Sequence, residues 1–183
     1  SVVRRQRQMC IRDSLDVVAA LFAQDTIKLY LNSGASNPTW TASNIDTNAN
    51  GATDVHVADM DGDGDLDVVS SSLEDDTIAW YENDGQASPG WTSTNIDTNR
   101  QSARAVDVAD MDGDGDLDIV TASSGDDTIA WYANGGQSTP SFTKTDISST
   151  ADAARDVRVA DMDGDGDLDI VSASYGDDLS LIH

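Results

Sequence analysis

The sequence is poor in the residues that several kinds of chemistry require. Cys10 is the one cysteine among 183 residues, so no disulfide can form within the chain. Lys and Arg number 10 against 34 Asp and Glu, and the net charge of -24 disfavours nucleic acid and anionic membranes as partners. No apolar run approaches the roughly 18 residues of a membrane-spanning helix. This acidity favours the binding of cations.

Residue sets typical of enzymes and of export signals are also lacking. No combination of Ser, His and Asp, no cysteine nucleophile and no glycine-rich phosphate loop stands out. Arg4, Arg5 and Arg7 are not followed by an apolar stretch, so the N-terminal segment is not a secretory signal. If the protein is exported, we expect its signal to lie outside this chain.

What the sequence does contain is an internal repeat. The string VADMDGDGDLD occurs three times, with its first loop aspartates at Asp59, Asp110 and Asp161, which are 51 residues apart. The same offset relates turn glycines, prolines and aromatic residues, namely Gly34, Gly85 and Gly136, Pro38, Pro89 and Pro140, and Trp40, Trp91 and Phe142.

The repeat does not extend to either end of the chain. It begins near residue 15 and ends at residue 178, and the flanking strings SVVRRQRQMCIRDS and LSLIH resemble translated sequencing-adapter sequence. We therefore expect both strings to be non-native. The predicted domains are a leader, a partial blade, two blades with an acidic loop, a partial blade with an acidic loop, and a tail, at residues 1–14, 15–53, 54–104, 105–155, 156–178 and 179–183.

Each repeat predicts four short β-strands. In the second repeat they are residues 54–58, 67–71, 77–82 and 91–96, separated by turn-rich segments. Ile78 and Trp80 alternate with Ala79 and Tyr81, which is the two-residue period of a sheet. Four strands in about 50 residues are typical of one propeller blade. The predicted fold class is therefore all-β, a β-propeller fragment of about three four-stranded antiparallel blades in an open arc.

The acidic loop has the spacing of a calcium site. Its carboxylates at positions 1, 3, 5 and 9, together with the main-chain carbonyl at position 7, suit a cation that takes 6 to 8 oxygen ligands. We predict three calcium ions, held by Asp59, Asp61, Asp63, Asp65 and Asp67, by Asp110, Asp112, Asp114, Asp116 and Asp118, and by Asp161, Asp163, Asp165, Asp167 and Asp169.

Other cations and another loop type fit less well. Magnesium demands a tighter octahedron and keeps several waters, and zinc would require His or Cys, which the loops lack. An EF-hand needs a bidentate Glu at position 12, where this chain has Ser70, Thr121 and Ser172. Without metal, five aspartates in nine residues repel one another, so we expect calcium to be a folding ligand.

The strand-loop-strand string VADMDGDGDLDVV, followed by TIAWYENDG, resembles the FG-GAP or VCBS repeat family, which includes the calcium-binding propellers of integrin α subunits. The resemblance covers residues 15–178. It implies that the calcium loop joins the first two strands of each blade and is a scaffold. Ligands would then bind the opposite face, built from residues 46–54 and 97–105 and the turns at 74–76 and 125–127.

Several other side chains have a functional and a structural interpretation. Trp40, Trp80, Trp91 and Trp131 could stack on sugars, but their alternation with polar neighbours favours packing between blades. His56 corresponds to Asp107 and Arg158 in later repeats, which predicts a solvent-facing position without shared chemistry. The pairs Asp75–Asp76 and Asp126–Asp127 could be an acid pair, but they are predicted to stabilise turns.

These features predict a calcium-binding module for binding or adhesion, not an enzyme. The partner would be a protein or a glycan on the face opposite the calcium loops. The alternative is a propeller domain of a secreted carbohydrate-active enzyme of the polysaccharide lyase type, or a lectin. Because millimolar calcium outside cells fills loops of modest affinity, we expect an extracellular or cell-surface location, in a bacterial protein.

Overall fold

The structure is a computed structural model that describes residues 2–6, 14–136, 140–176 and 181–182, with the backbone alone for the first and last of these ranges. Apart from a 3-10 turn at Phe22–Gln24, the described elements are all β-strands. No helix in this part of the chain is long and apolar enough to cross a membrane. The all-β prediction is confirmed.

The strands form four consecutive antiparallel sheets, which we call blades 1 to 4. Blade 1 contains β1 (Val2–Gln6), β2 (Leu15–Leu21), β3 (Thr26–Asn32) and β4 (Trp40–Asp46); blade 2 contains β5 (Ala52–Ala58), β6 (Asp67–Ser72), β7 (Thr77–Asn83) and β8 (Trp91–Asp97). Blade 3 contains β9 (Ala103–Ala109), β10 (Asp118–Ser123), β11 (Thr128–Asn134) and β12 (Phe142–Ser148); blade 4 contains β13 (Ala154–Ala160), β14 (Asp169–Ser174) and β15 (Leu181–Ile182).

Strand pairing gives each blade two distinct ends. In blade 2, Ala58 pairs with Asp67 across the β5–β6 connection, whereas Ser72 pairs with Thr77 across the β6–β7 turn at the other end. We call the end with the β5–β6 connection the loop face. The other end, which also holds the connections between blades, is the turn face. The acidic loops are the β5–β6 connection and its counterparts in blades 3 and 4, so they join the first two strands of each of these blades, as the family resemblance implied.

Alternation along a strand divides its side chains between two neighbouring blades. On β7, Ala79 and Tyr81 belong to the apolar core between blades 1 and 2, whereas Ile78 and Trp80 belong to the core between blades 2 and 3. Both sets are buried because the sheet is covered on both faces. A third core lies between blades 3 and 4. No described core is internal to one blade, so each blade depends on its neighbours for burial.

Polar contacts repeat from one blade pair to the next. The Tyr81 hydroxyl donates to Asp46 Oδ2 at 3.1 Å, and the Tyr132 hydroxyl donates to Asp97 Oδ2 at 2.9 Å. Each bond joins the third strand of one blade to the end of the fourth strand of the blade before. Burial raises the pKa of both tyrosines, so each hydroxyl remains a donor at physiological pH.

The paired aspartates act across blades as well as within turns. Asp76 has a positive φ of 59°, and its Oδ1 accepts the Ser102 amide of the next blade at 2.8 Å. Asp127, one repeat later, accepts the Ala153 amide at 2.8 Å in the same way. Besides the predicted stabilisation of turns, these residues therefore also join consecutive blades.

The prediction that His56 shares no chemistry with its repeat counterparts is wrong, whereas its counterpart Arg158 does face solvent, with a side chain that is 57% exposed. The Nδ1 atom of His56 lies 3.1 Å from Asp107 Oδ1, and the His56 side chain is 31% exposed. The carboxylate of Asp107 in turn accepts the Val159 amide at 2.9 Å. The first strands of successive blades lie side by side, so repeat-equivalent positions contact one another instead of facing solvent separately. Different residue types at one repeat position can thus be partners.

Two segments outside the sequence repeats also take part in the sheets. The backbone of β1 pairs with β2 in the place of a first strand, and that of β15 pairs with β14 in the place of a third. A strand edge with unpaired N–H and C=O groups accepts any extended segment nearby. The non-native origin of residues 1–14 and 179–183 stays a prediction.

The tryptophan prediction holds where a neighbouring blade is present. Trp80 is 2% exposed, and Trp91 and Trp131 are partly buried against inter-blade cores. For Trp40 the prediction of inter-blade packing is wrong, because this side chain is 48% exposed. Its counterpart Trp91 packs on the blade before it, and blade 1 is the first blade of the arc. The arc is open, as predicted.

We predict that Trp80→Ala and Trp40→Ala differ widely in their effect on the free energy of unfolding. Trp80→Ala should cost about 3–5 kcal/mol because it removes a buried side chain between two blades. Trp40→Ala removes the same chemical group from an exposed site and should cost less than about 1 kcal/mol. Urea unfolding at constant calcium measures both; equal costs would contradict the blade packing described here.

Candidate metal centres

Three clusters of aspartates lie on the loop face, one in each acidic loop. In each cluster, one carboxylate oxygen per residue lies within 4.8 Å of those of the other two, so one metal ion could be held between them. The clusters are Asp59, Asp61 and Asp63, then Asp110, Asp112 and Asp114, then Asp161, Asp163 and Asp169.

Backbone amides of the same loops orient these carboxylates. Gly64 donates to Asp59 Oδ2 at 3.0 Å, reaching back across the loop, and Asp63 donates to Asp61 Oδ1 at 3.2 Å. Gly64 has a φ of 95°, which residues with a side chain adopt only with strain. The bond from Gly115 to Asp110, at 3.0 Å, repeats this arrangement. The glycines are thus needed to wrap the chain around the carboxylates.

The electrostatics of the loops are unfavourable to charged carboxylates on their own. Burial raises the pKa of Asp61, and the charges of Asp63 and Asp59 raise it further. Burial also raises the pKa of Asp67 to about 6 and that of Asp118 above its ordinary value, although backbone N–H groups partly offset the effect. A bound cation would relieve this repulsion.

One oxygen in the first loop indicates where a cation would lie. Asp59 Oδ1 is buried, and no donor within the described ranges reaches it. A buried carboxylate oxygen without a partner is costly. The residues therefore fit a hard cation with oxygen ligands, which would take the place of the missing donor.

The other two predicted ligands of this loop have different surroundings. Both oxygens of Asp67 accept backbone amides, from Met60 at 3.1 Å and from Asn83 at 2.9 Å. The carboxylate of Asp65 lies against Gly85 in the β7–β8 turn. Only in the third loop does the position-9 residue, Asp169, join the cluster. The assignment of Asp65 and Asp67 as ligands stays a prediction.

Sequence reasoning missed the residue between the first two carboxylates. Met60 is 2% exposed and belongs to the apolar core between blades 2 and 3. Its carbonyl accepts the side-chain amide of Asn134, in blade 3, at 3.1 Å. The acidic loop of one blade is therefore anchored in the next. The signal was available, because a Met occurs at this position in every repeat.

Comparison with known families supports the repeat architecture over most of the chain. A profile of the FG-GAP-like repeat matches residues 14–70, 65–121 and 110–172. The chain belongs to the FG-GAP-like repeat family. No curated protein matches it. Each of the three FG-GAP-like matches includes strands from two consecutive blades, in agreement with cores that lie between blades.

We predict that Gly85→Ala is more destabilising than Gly34→Ala. Both glycines have positive φ, of 69° and 72°, so each alanine should cost about 1 kcal/mol in backbone strain. A Cβ at residue 85 would also collide with the Asp65 carboxylate, whereas one at residue 34 makes ordinary contact with Ser14. The collision should add about 1–3 kcal/mol. Urea unfolding in calcium tests this; equal losses would show that Asp65 does not pack against this turn.

Proposed function

We propose that this chain is a calcium-stabilised binding module of a propeller-like extracellular protein. The observation that carries the proposal is the repetition of one carboxylate cluster in three loops, on one face of the arc. Asp59, Asp61 and Asp63 would hold the ion in the first loop, with backbone carbonyl and water oxygens completing its shell. Calcium would offset part of the negative charge of the loop and take no part in a reaction.

Calcium would stabilise the packing of blade against blade because Met60 lies between two of its ligands. An ion on Asp59 and Asp61 would restrain Met60, which belongs with Val106 and Tyr132 to the core between blades 2 and 3. The Met60 carbonyl bond to Asn134 connects the same two blades. The free energy of calcium binding would therefore contribute to the stability of a blade interface as well as of a loop.

The turn face is the proposed binding surface. It carries the inter-blade connections, whose sequences differ between repeats, as in DTNANGATD and DTNRQSARA. Variable loops on a rigid scaffold are a common form of recognition surface. Calcium on the loop face leaves this surface free. An extracellular location would supply calcium at the millimolar concentrations that loops of modest affinity require.

We predict that removal of calcium lowers the melting temperature of this chain. At a calcium concentration 100-fold above the dissociation constant, each site contributes about 2.7 kcal/mol. For a chain of this length, one site then corresponds to a shift of roughly 5–10 °C. Melting by circular dichroism in calcium, in magnesium and in EDTA measures the effect, and calorimetric titration should give three calcium ions per chain.

Two controls sharpen this experiment. Asp59→Asn removes a clustered carboxylate and should reduce the stoichiometry to two, whereas Asp84→Asn changes a carboxylate of the β7–β8 turn, outside the three clusters, and should leave it at three. A melting curve that is identical in calcium and in EDTA would refute the proposal.

A further inference from the structure

A cavity of about 230 Å³ lies between blades 1 and 2 near the turn face. Two carboxylates, of Asp46 and Asp75, line it, and so does the buried side chain of Tyr81. None of the residues that line it is cationic. Asp75 Oδ1 is buried, and no donor in the described part of the chain reaches it. The cavity thus concentrates negative charge without an internal counter-ion.

The next blade pair shows what the corresponding cavity holds. Ala49, which lines the cavity, corresponds to Arg100 one repeat later. The Arg100 side chain is 7% exposed, and its guanidinium lies 3.2 Å from Asp97, 3.6 Å from Asp126 and 3.3 Å from Asp146. Asp97 and Asp126 are the repeat counterparts of Asp46 and Asp75. The guanidinium therefore occupies a place that Ala49 leaves open.

A second cation is missing from the first blade pair as well. Lys144 Nζ lies 3.8 Å from Asp97 and 3.9 Å from Asp146, and its counterpart in the cavity is Ser93. Blades 2 and 3 thus place two cations among three carboxylates.

Blades 1 and 2 place two carboxylates, of Asp46 and Asp75, at the cavity and no cation among the residues that line it. Asp46 accepts the Tyr81 hydroxyl and Asp75 accepts the Asn50 amide, so each carboxylate has a hydrogen-bond donor but no opposite charge beside it among the described residues. The cavity therefore favours a cation from outside the chain.

The surroundings suit an organic cation better than a metal ion. Calcium takes 6 to 8 oxygen ligands, whereas the cavity offers two carboxylates and no His or Cys. A planar guanidinium can pair with carboxylates from two blades at once, as Arg100 does with Asp97 and Asp146. The volume is below the 300–1,000 Å³ of pockets for drug-sized ligands. It is suitable for the end of one side chain.

We infer that this cavity is a binding site for the guanidinium group of an arginine side chain that a partner protein presents to the turn face. The inference rests on the proposed binding role of that face and names the chemistry of its partner. Asp46 and Asp75 would pair with the guanidinium, and Asn95 would accept a hydrogen bond through its side-chain oxygen. The site does not use the calcium loops.

The experiment measures binding of N-acetyl-argininamide to the full chain in saturating calcium, by NMR titration. We expect one site, with the neutral isostere N-acetyl-citrullinamide binding at least about tenfold more weakly. Ala49→Arg should abolish binding, because it restores the internal guanidinium. The double variant Arg100→Ala, Lys144→Ser should bind a second equivalent, because it gives blades 2 and 3 the residues that leave the first cavity open.

Ser93→Lys provides a test at an exposed position that does not depend on how a buried arginine is accommodated. It places an ammonium group beside the cavity, as Lys144 does in the next blade, and should weaken binding several-fold. The control Thr92→Lys adds the same charge to a neighbouring residue that does not line the cavity, so its effect should be smaller. Equal affinities for the two ligands, or unchanged binding in Ala49→Arg, would overturn the inference, as would a loss of binding when calcium is raised further above saturation. The calcium-dependent melting shift is measured on the same samples, so a failure of this site is distinguishable from a failure of the proposed calcium scaffold.

Discussion

The packing of one blade against the next is the interaction on which the rest of the structure depends. A four-stranded sheet with apolar residues on both faces cannot bury them alone, and in this chain every described core is shared by consecutive blades. Hydrogen bonds also join consecutive blades. The Tyr81 hydroxyl donates to Asp46 at the end of a fourth strand. The Ser102 amide donates to Asp76 at the turn face, and the Val106 amide donates to Asp54 between first strands. Where the structure describes no preceding blade, the equivalent position is exposed, as at Trp40.

The acidic loops are best understood as part of this connection. Without a cation, a loop with five aspartates destabilises the fold, since burial and mutual repulsion both disfavour the charged form of Asp61. The chain nevertheless places an apolar residue, Met60, between the first two aspartates of the loop and buries it in the core shared with the next blade. Calcium bound on the loop face, as we propose, would thereby be connected to apolar burial inside the arc and would leave the turn face available for recognition.

Much of the fold could be predicted from sequence because the repeat is so regular. The alternation around Ile78 and Trp80 and the spacing of the acidic loop involve residues that are close together in the chain. The 51-residue period shows that these patterns recur. Contacts between repeats could not be predicted in this way. His56 and Asp107 looked unrelated because they differ in type at one repeat position, yet they are partners. The exchange of Arg100 for Ala49 lies in connections whose sequences differ between repeats, and only the structure places the guanidinium among carboxylates where Ala49 lines a cavity.

We propose that calcium on the loop face stabilises the interface between blades through the methionine between its first two ligands. The calcium-dependent part of the free energy of unfolding, in calcium minus EDTA, can be compared for Met60→Ala and Met162→Ala. These residues hold the same loop position, but Met60 is 2% exposed and Met162 is 52% exposed. Met60→Ala should lose a large share of the calcium-dependent stabilisation, and Met162→Ala should retain it. An equal calcium contribution in both variants would refute this role of Met60.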